Sequence, residues 1–268
     1  MAVATRTVGP LVRDWRTRRR RSQMDLALEV GVSPRHLSFV ETGRSRPSPE
    51  LLLAVADRLE VPLRERNALL LAAGYAPRYP QTSLDDGSMA RVRATLQRLL
   101  AAHDPYPGVV IDRAWNVVLV NSAAGLLVRD LPPTLLGPPL NVFRVCLHPE
   151  GLAARTRNFP EWAGYLRGEL HRAVTLTADA SLALLLAEVE SYPNVIAAGG
   201  WRNGGGGDEP SLLVPLRLAV EDDRELSLFT TLTTFGTPLD VTLSELAVEL
   251  FYPADDATDA ALRALPNG

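Results

Sequence analysis

Lysine is absent from these 268 residues, and all 28 basic side chains are arginine. That absence points to a GC-rich genome rather than to a mechanism. Cysteine occurs once, at Cys146, which excludes an internal disulfide framework and fits a reducing cytoplasm. It sits in the apolar run Val142–Leu147 and reads as a small buried hydrophobe. One cysteine cannot build a zinc cluster. The four histidines, His36, His103, His148 and His171, make neither an H-x-x-x-H nor an H-E-x-x-H spacing. A G-x-S-x-G elbow is also missing. No catalytic residue, metal site or obligatory cofactor is therefore expected. No apolar run approaches the roughly 18 residues a membrane span needs, and the amino terminus lacks an apolar signal-peptide core. The expected location is the cytoplasm.

What the chain does have is length for two domains, 46% hydrophobic residues for their cores, and an uneven charge. Residues 1–80 hold 14 Arg and 8 acidic residues, about +6; the remainder holds 14 Arg and 23 acidic residues, about −9, which together give the net −3. A basic amino-terminal part is thus hidden in a nearly neutral whole. The run Arg18–Arg21 stands directly before the most informative segment, where it reads as phosphate-contacting rather than as a solvated charge run.

That segment is Ser22–Pro47. Ser22 caps a helix and Asp25 completes a capping box, while Leu26, Ala27 and Val30 form the inward face. Gly31 ends the helix where a positive φ costs least, and Val32 plugs the turn. Ser33 caps the next helix, with Pro34 at its first position and Leu37 and Val40 inward. Gly43 closes it. The outward residues are Arg35, His36, Ser38 and Phe39, a mix of donors and an apolar contact suited to base edges. The series Ser22, Gln23, Leu26, Ala27, Gly31, Val32, Ser33, Leu37, Ser38, Glu41, Gly43, Pro47 resembles the Xre/phage-repressor class of helix-turn-helix. The resemblance implies operator DNA as a partner, read by Gln23, Ser33, Arg35, His36, Ser38 and Phe39, with Arg18, Arg19, Arg44 and Arg46 on phosphates. It also implies a structural ion pair between Arg16 and Glu41.

Around this motif the pattern predicts a five-helix domain over residues 1–76. Val8, Leu11, Val12 and Trp15 mark the first helix; Leu51, Leu52, Val55, Ala56 and Leu59 the fourth; Leu69, Leu70 and Leu71 the fifth, stopped by Gly74. Residues 77–88, rich in Pro, Ser and Asp, read as a linker. The helix after it, with Val92, Leu96, Leu99 and Leu100 on one face, suits either a dimer seam or packing on the second domain.

Residues 89–268 show a mixed pattern. Val109–Ile111 and Val117–Val120 read as a hairpin, followed by a short helix from Asn121. Leu212–Val220 and Leu226–Thr234 read as a second hairpin around Glu221–Arg224, and helical stretches (Leu152–Arg157, Trp162–Ala173, Ser181–Glu190) lie between the two. Strand-strand-helices-strand-strand is the order of a PAS-like antiparallel sheet with helices on one face, so the whole chain is α+β. Thr242 and Glu245 suggest a last helix with Leu243, Leu246, Ala247, Leu250 and Phe251, although Val248 and Leu250 can also alternate in a strand. Gly199–Glu209 reads as a mobile loop, not a phosphate cradle.

Asn141–Gly151, Asn158–Trp162, Thr233–Asp240 and Phe251–Asp255 resemble segments of the MmyB-like regulator ligand-binding domain. What this implies is a sensor whose apolar cavity holds a fatty-acyl or similar small molecule. Phe143, Trp162, Leu166 and Phe235 are the expected wall residues, with ordinary core as the alternative role for the aromatics. His148 can meet a ligand head group or brace a turn. Three functions remain in view: a ligand-responsive transcription regulator, an enzyme with an appended DNA-binding domain, and an antitoxin-like interaction protein with no small-molecule ligand. The missing catalytic clusters disfavour the second. Because one helix-turn-helix reads only a short half-site, a homodimer on a palindromic operator is expected.

Overall fold

The computed structural model describes residues 7–177, 179–199, 213–220 and 224–264. The chain divides into two compact units, Met1–Thr82 with Thr237–Ser244, and Ser83–Gly236 with Glu245–Gly268.

The first unit holds α1 (Val8–Arg18), α2 (Gln23–Glu29), α3 (Pro34–Glu41), α4 (Pro49–Arg58) and α5 (Leu63–Ala72). Three serine caps set the starts. The hydroxyls of Ser22, Ser33 and Ser48 accept from the backbone N–H groups of Asp25, His36 and Leu51. Gly31 and Gly43 end α2 and α3 at φ +72°, a left-handed conformation that an L side chain would strain. Val12, Trp15, Leu26, Ala27, Leu37, Leu52, Val55, Leu59, Leu69 and Leu70 are buried in one core. Leu71, read as an inward position of α5, is 57% exposed.

The expected linker is not free chain. Asn67 Oδ1 accepts from the backbone N–H groups of Arg78 and Tyr79, and its amide nitrogen donates to the Tyr79 carbonyl at 2.7 Å. Pro80 accepts from Val241 N–H at 2.8 Å, and Asp240 accepts from Thr82 N–H at 3.1 Å. Residues 77–82 therefore belong to the first unit, as does Thr237–Ser244.

The second unit begins with α6 (Ala90–His103), then β1 (Gly108–Ile111), β2 (Val117–Val120), α7 (Ser122–Val128), α8 (Pro133–Leu136), α9 (Val142–Leu147), α10 (Phe159–Thr177), α11 (Ala180–Glu190), α12 (Pro193–Ala198), β3 (Leu216–Ala219) and β4 (Glu225–Thr234). After α13 (Val241–Glu245) come β5 (Ala247–Pro253) and α14 (Asp256–Arg263). The five strands form one antiparallel sheet in the order β2-β1-β5-β4-β3, the PAS-like arrangement expected. Both hairpins form; Leu212 and residues 221–223 of the second lie outside the described residues, as does the glycine-rich segment from residue 200 onward.

The last expected helix is mostly strand. Asp240, not Thr242, caps α13, accepting from the Thr242 and Leu243 N–H groups. The helix stops at Glu245, and Ala247–Pro253 becomes the central strand, paired with β1 on one side and β4 on the other. Two flanking partners satisfy its backbone, and Val248, Phe251 and Tyr252 suit a pleated surface better than a helix interior. The main core of this unit lies where α9, α10 and α11 cover β3 and β4, with Phe143, Leu147, Leu170, Val189 and Leu228 fully buried.

Candidate DNA interface and ligand cavity

α3 is the element that the first unit presents. Arg35 is exposed on its first turn, and His36, Ser38 and Phe39 are half-buried along the same side. Two guanidinium groups lie over the Phe39 ring, with the Cζ of Arg35 at 5.3 Å and that of Arg44 at 5.9 Å from its centroid. A ring that holds two arginines over it orders cations that would otherwise sample many rotamers. Helix-turn-helix recognition uses this first turn for base edges.

The seat of α3 is built from an ion-pair network. Glu41, at the end of α3, accepts from Arg16 Nε at 2.7 Å and Nη2 at 2.9 Å, and from Gln23 Nε2 at 2.9 Å. Arg16 Nη1 also donates to the Arg21 carbonyl at 2.9 Å. The carboxylate raises the Arg16 pKa through its hydrogen bond, against the opposing effect of burial. This is the expected Arg16–Glu41 pair, and it recruits Gln23, one of the residues assigned to DNA. α1 approaches α3 closely at Gly9, where a Cβ would lie 2.6 Å from the carbonyl oxygens of both Val40 and Glu41.

The arginines assigned to phosphate separate into two groups. Arg19 donates through Nε to the Leu59 carbonyl at 2.8 Å and through Nη2 to that of Glu60 at 3.2 Å. Arg46 does the same at the end of α5, with Ala73 at 3.0 Å and Gly74 at 3.3 Å, and stacks 4.5 Å from the Tyr75 ring. Both cap helix carboxyl ends, where cations complement the dipole. Arg19, Arg46 and Gln23 thus bond within the first unit. Arg18, Arg44 and Arg46 are exposed, as is the Ser33 cap.

The second unit contains an apolar cavity of about 80 Å³ between the sheet and the helices α7 and α9. Its walls include Val109, Val117, Val120, Leu127, Val145 and Phe251, and its one ionisable carboxyl is Glu249. Val120 is 48% exposed and marks the mouth. The expected wall residues do not line this space. Phe143, Trp162 and Leu166 are buried in the adjoining core, Phe143 against Trp115 at 4.8 Å between ring centroids. Phe235 is 37% exposed. Phe143 and Trp162 fill the core beside this space, and the cavity walls are mostly Val and Leu side chains, with Phe251 from β5.

Glu249 was not singled out in the sequence. Burial pushes its carboxyl up to about 7, against a hydrogen bond from Thr230. Its Oε2 is buried without a hydrogen-bond partner. Cys146 faces the same cavity, with its thiol pushed up to about 12 by burial and by the nearby Glu249.

The family-like motifs are mostly structural. Asn141 caps α9 and donates to the Ala114 carbonyl at 2.8 Å. Arg144 forms a bidentate pair with Glu188, both bonds 2.7 Å. Gly151 is required by space, since a Cβ would lie 2.3 Å from the Val145 carbonyl oxygen. Asn158 bridges to β3, donating to the Pro215 carbonyl at 2.8 Å and accepting from Arg217 N–H at 3.2 Å. His148 braces a turn, its Nδ1 accepting from Glu150 N–H at 3.1 Å. His171 is exposed on α10. Among the described residues no His, Cys, Asp and Glu cluster could hold a metal ion, and no helix is long and apolar enough to cross a membrane.

Residues 92–265 match the family model for the MmyB-like transcription regulator ligand binding domain, and residues 12–66 match that for helix-turn-helix. No curated protein matches the chain. Among solved structures, the chain is similar to the clp gene regulator ClgR from Corynebacterium glutamicum, at 27% identity over 39% of this chain and 97% of that one, with a TM-score of 0.23. It is also similar to an RNA-binding light-oxygen-voltage receptor at 13% identity, covering 98% of this chain and 65% of that one, with a TM-score of 0.29.

Proposed function

Because the chain belongs to the family of MmyB-like transcription regulators, we propose that it binds operator DNA through α3 as a homodimer and that a small apolar molecule in its second unit sets the affinity. The observation that carries this reading is the apolar cavity between sheet and helices, in one chain with an outward recognition helix. Arg35, His36, Ser38 and Phe39 read bases, with Ser33 at the start of the helix and Arg18 and Arg44 on the backbone. The protein acts in the cytoplasm and performs no catalysis.

The cavity size sets how a ligand sits. A cavity of roughly 150 Å³ takes one benzene. At about 80 Å³, this one takes the end of an alkyl or acyl chain. A long fatty-acyl molecule fits only if its remainder leaves past Val120 or displaces α7. A ligand changes DNA affinity only when it binds the DNA-competent and incompetent arrangements differently, and the coupling is then reciprocal.

The test has two arms. Selection from random DNA should return a palindrome with half-sites about one helical turn apart, or a multiple of that. Native mass spectrometry of the purified protein should show a dimer carrying a small apolar molecule. A stable complex with a second protein and no small molecule would instead support the antitoxin-like alternative.

A further inference from the structure

We infer that Phe39 is a positioning residue for DNA readout: its ring holds Arg35 for a guanine and Arg44 for a nearby phosphate, so that a base contact and a backbone contact depend on one uncharged side chain. This rests on the reading of α3 as the recognition helix and says how that helix fixes its cations.

Arg35 and Phe39 are four residues apart on α3, so they share one side of the helix. Helical side chains lean toward the amino end, which carries the Phe39 ring back over the turn that bears Arg35. Its centroid lies 5.3 Å from the Arg35 Cζ. Arg44 reaches the same ring by another route. Gly43, at φ +72°, turns the chain after α3, and the Phe39 carbonyl accepts from the N–H groups of Arg44 at 2.8 Å and Ser45 at 3.1 Å. One residue thus pins the turn through its backbone and meets the Arg44 guanidinium with its ring, the Cζ lying 5.9 Å from the centroid.

The bonds these two cations lack point outward. Among the described residues, neither the Arg35 nor the Arg44 guanidinium has a hydrogen bond or an ion pair. Arg46 is the contrast: it stacks on Tyr75 and also donates to the Ala73 and Gly74 carbonyls, which uses its donors inside the unit. A guanidinium held through a ring contact alone keeps its in-plane N–H groups for an outside acceptor. Two positive charges over one ring, with no carboxylate paired to either, also repel each other, and an anionic partner relieves that repulsion.

Guanine O6 and N7 offer Arg35 two acceptors in one plane. A phosphate oxygen suits Arg44, which stands beyond the end of the helix. Without the ring, each arginine would give up its rotamer freedom at the moment of binding. With it, part of that ordering precedes binding, and a wrong base gains less from a side chain that cannot swing to meet it.

Competition binding with the full chain, the selected operator and random DNA tests this. Phe39→Leu keeps an apolar side chain and removes the ring. It should lower selectivity at the base pair that Arg35 reads by about two- to fivefold and leave selectivity at the other base pairs unchanged. Phe39→Tyr, which keeps the ring, should retain it. In an Arg35→Ala background, Phe39→Leu should lower selectivity no further, because the cation it positions is gone. On random DNA, Phe39→Leu should weaken binding, and Arg44→Ala should abolish that effect. A loss confined to a thymine would assign the ring to a methyl contact of its own and overturn the inference. An equal loss with Arg35 already removed, as a general disturbance of α3 would give, overturns it too, as does Phe39→Tyr behaving like Phe39→Leu. A wild-type chain that selects no sequence would overturn the recognition-helix reading and this inference together, whereas a selected operator with unchanged selectivity in Phe39→Leu overturns the inference alone.

Discussion

Arg35 stands on the first turn of α3 with only the Phe39 ring beneath its guanidinium. It is free to bond bidentately to a guanine, a contact worth about 1–3 kcal/mol of discrimination. Arg35→Ala should therefore weaken binding to the selected operator by that amount and relax selectivity at one base pair, measured by competition against random DNA. Equal losses on both would place Arg35 on phosphate. Arg18 and Arg19 are neighbours in different settings, because Arg19 is bonded to the carbonyls of Leu59 and Glu60 while Arg18 is exposed. Arg18→Ala should reduce the salt dependence of DNA binding by about one unit of log–log slope. Arg19→Ala should leave the slope alone and lower thermal stability instead. Glu249 carries a pH consequence. Its folded pKa, about 7, lies above the ordinary carboxylate value of 4.5, so the folded chain binds the proton more tightly than the unfolded chain. Its contribution to stability is full below about pH 4.5 and is lost as pH rises to about 7, on the order of 3 kcal/mol in all. Urea denaturation at pH 5 and pH 8 should show wild type losing more stability than Glu249→Gln across that interval. Parallel losses would mean that the carboxyl is hydrated in solution.

Packing of α1 against α3 turns on Gly9. An alanine there gains up to about 1 kcal/mol of helix propensity. Its Cβ, however, meets two backbone carbonyl oxygens at 2.6 Å, and overpacking of this kind typically costs about 1–3 kcal/mol. The clash outweighs the gain, so Gly9→Ala should lower the melting temperature and weaken operator binding together, as α3 is pushed from its seat. Unchanged stability would show that the two helices separate freely. The elements of this unit were readable in sequence because their signals are local: a serine, three residues on a donor N–H, and a glycine at the stop. The outward set of α3 followed from the same periodicity. Arg19 and Arg46 were not readable as helix caps, since the carbonyls they bind lie 40 and 27 residues away. The sequence of β5 admits both helix and strand for a related reason. A capping pattern at Thr242 looked like a helix start, and only pairing to strands far away in sequence makes Ala247–Pro253 a central strand. Once that segment is a strand, Glu249 shares a face of the sheet with Val109, a placement that the local pattern alone does not give.

For the whole molecule, assembly decides specificity. One recognition helix reads a half-site of a few base pairs, and phosphate contacts add affinity without sequence information. The second unit carries exposed apolar side chains suited to a seam, Leu99 on α6 and Leu184 on α11, the latter 73% exposed. Sedimentation at micromolar concentration should give a dimer, and Leu184→Glu or Leu99→Glu should dissociate it and steepen the concentration dependence of operator binding. A monomer that binds DNA one to one would rule the dimer out. Cys146 adds a consequence of another kind. It is the chain's single thiol, it forms part of the cavity wall, and its pKa near 12 keeps almost all of it protonated. A thiol reagent can then modify the protein only during transient openings of the wall, at one stoichiometric position. The labelling rate becomes a clock for how often the cavity breathes, and a molecule that fills the cavity should slow that clock without any tag, dye or engineered residue.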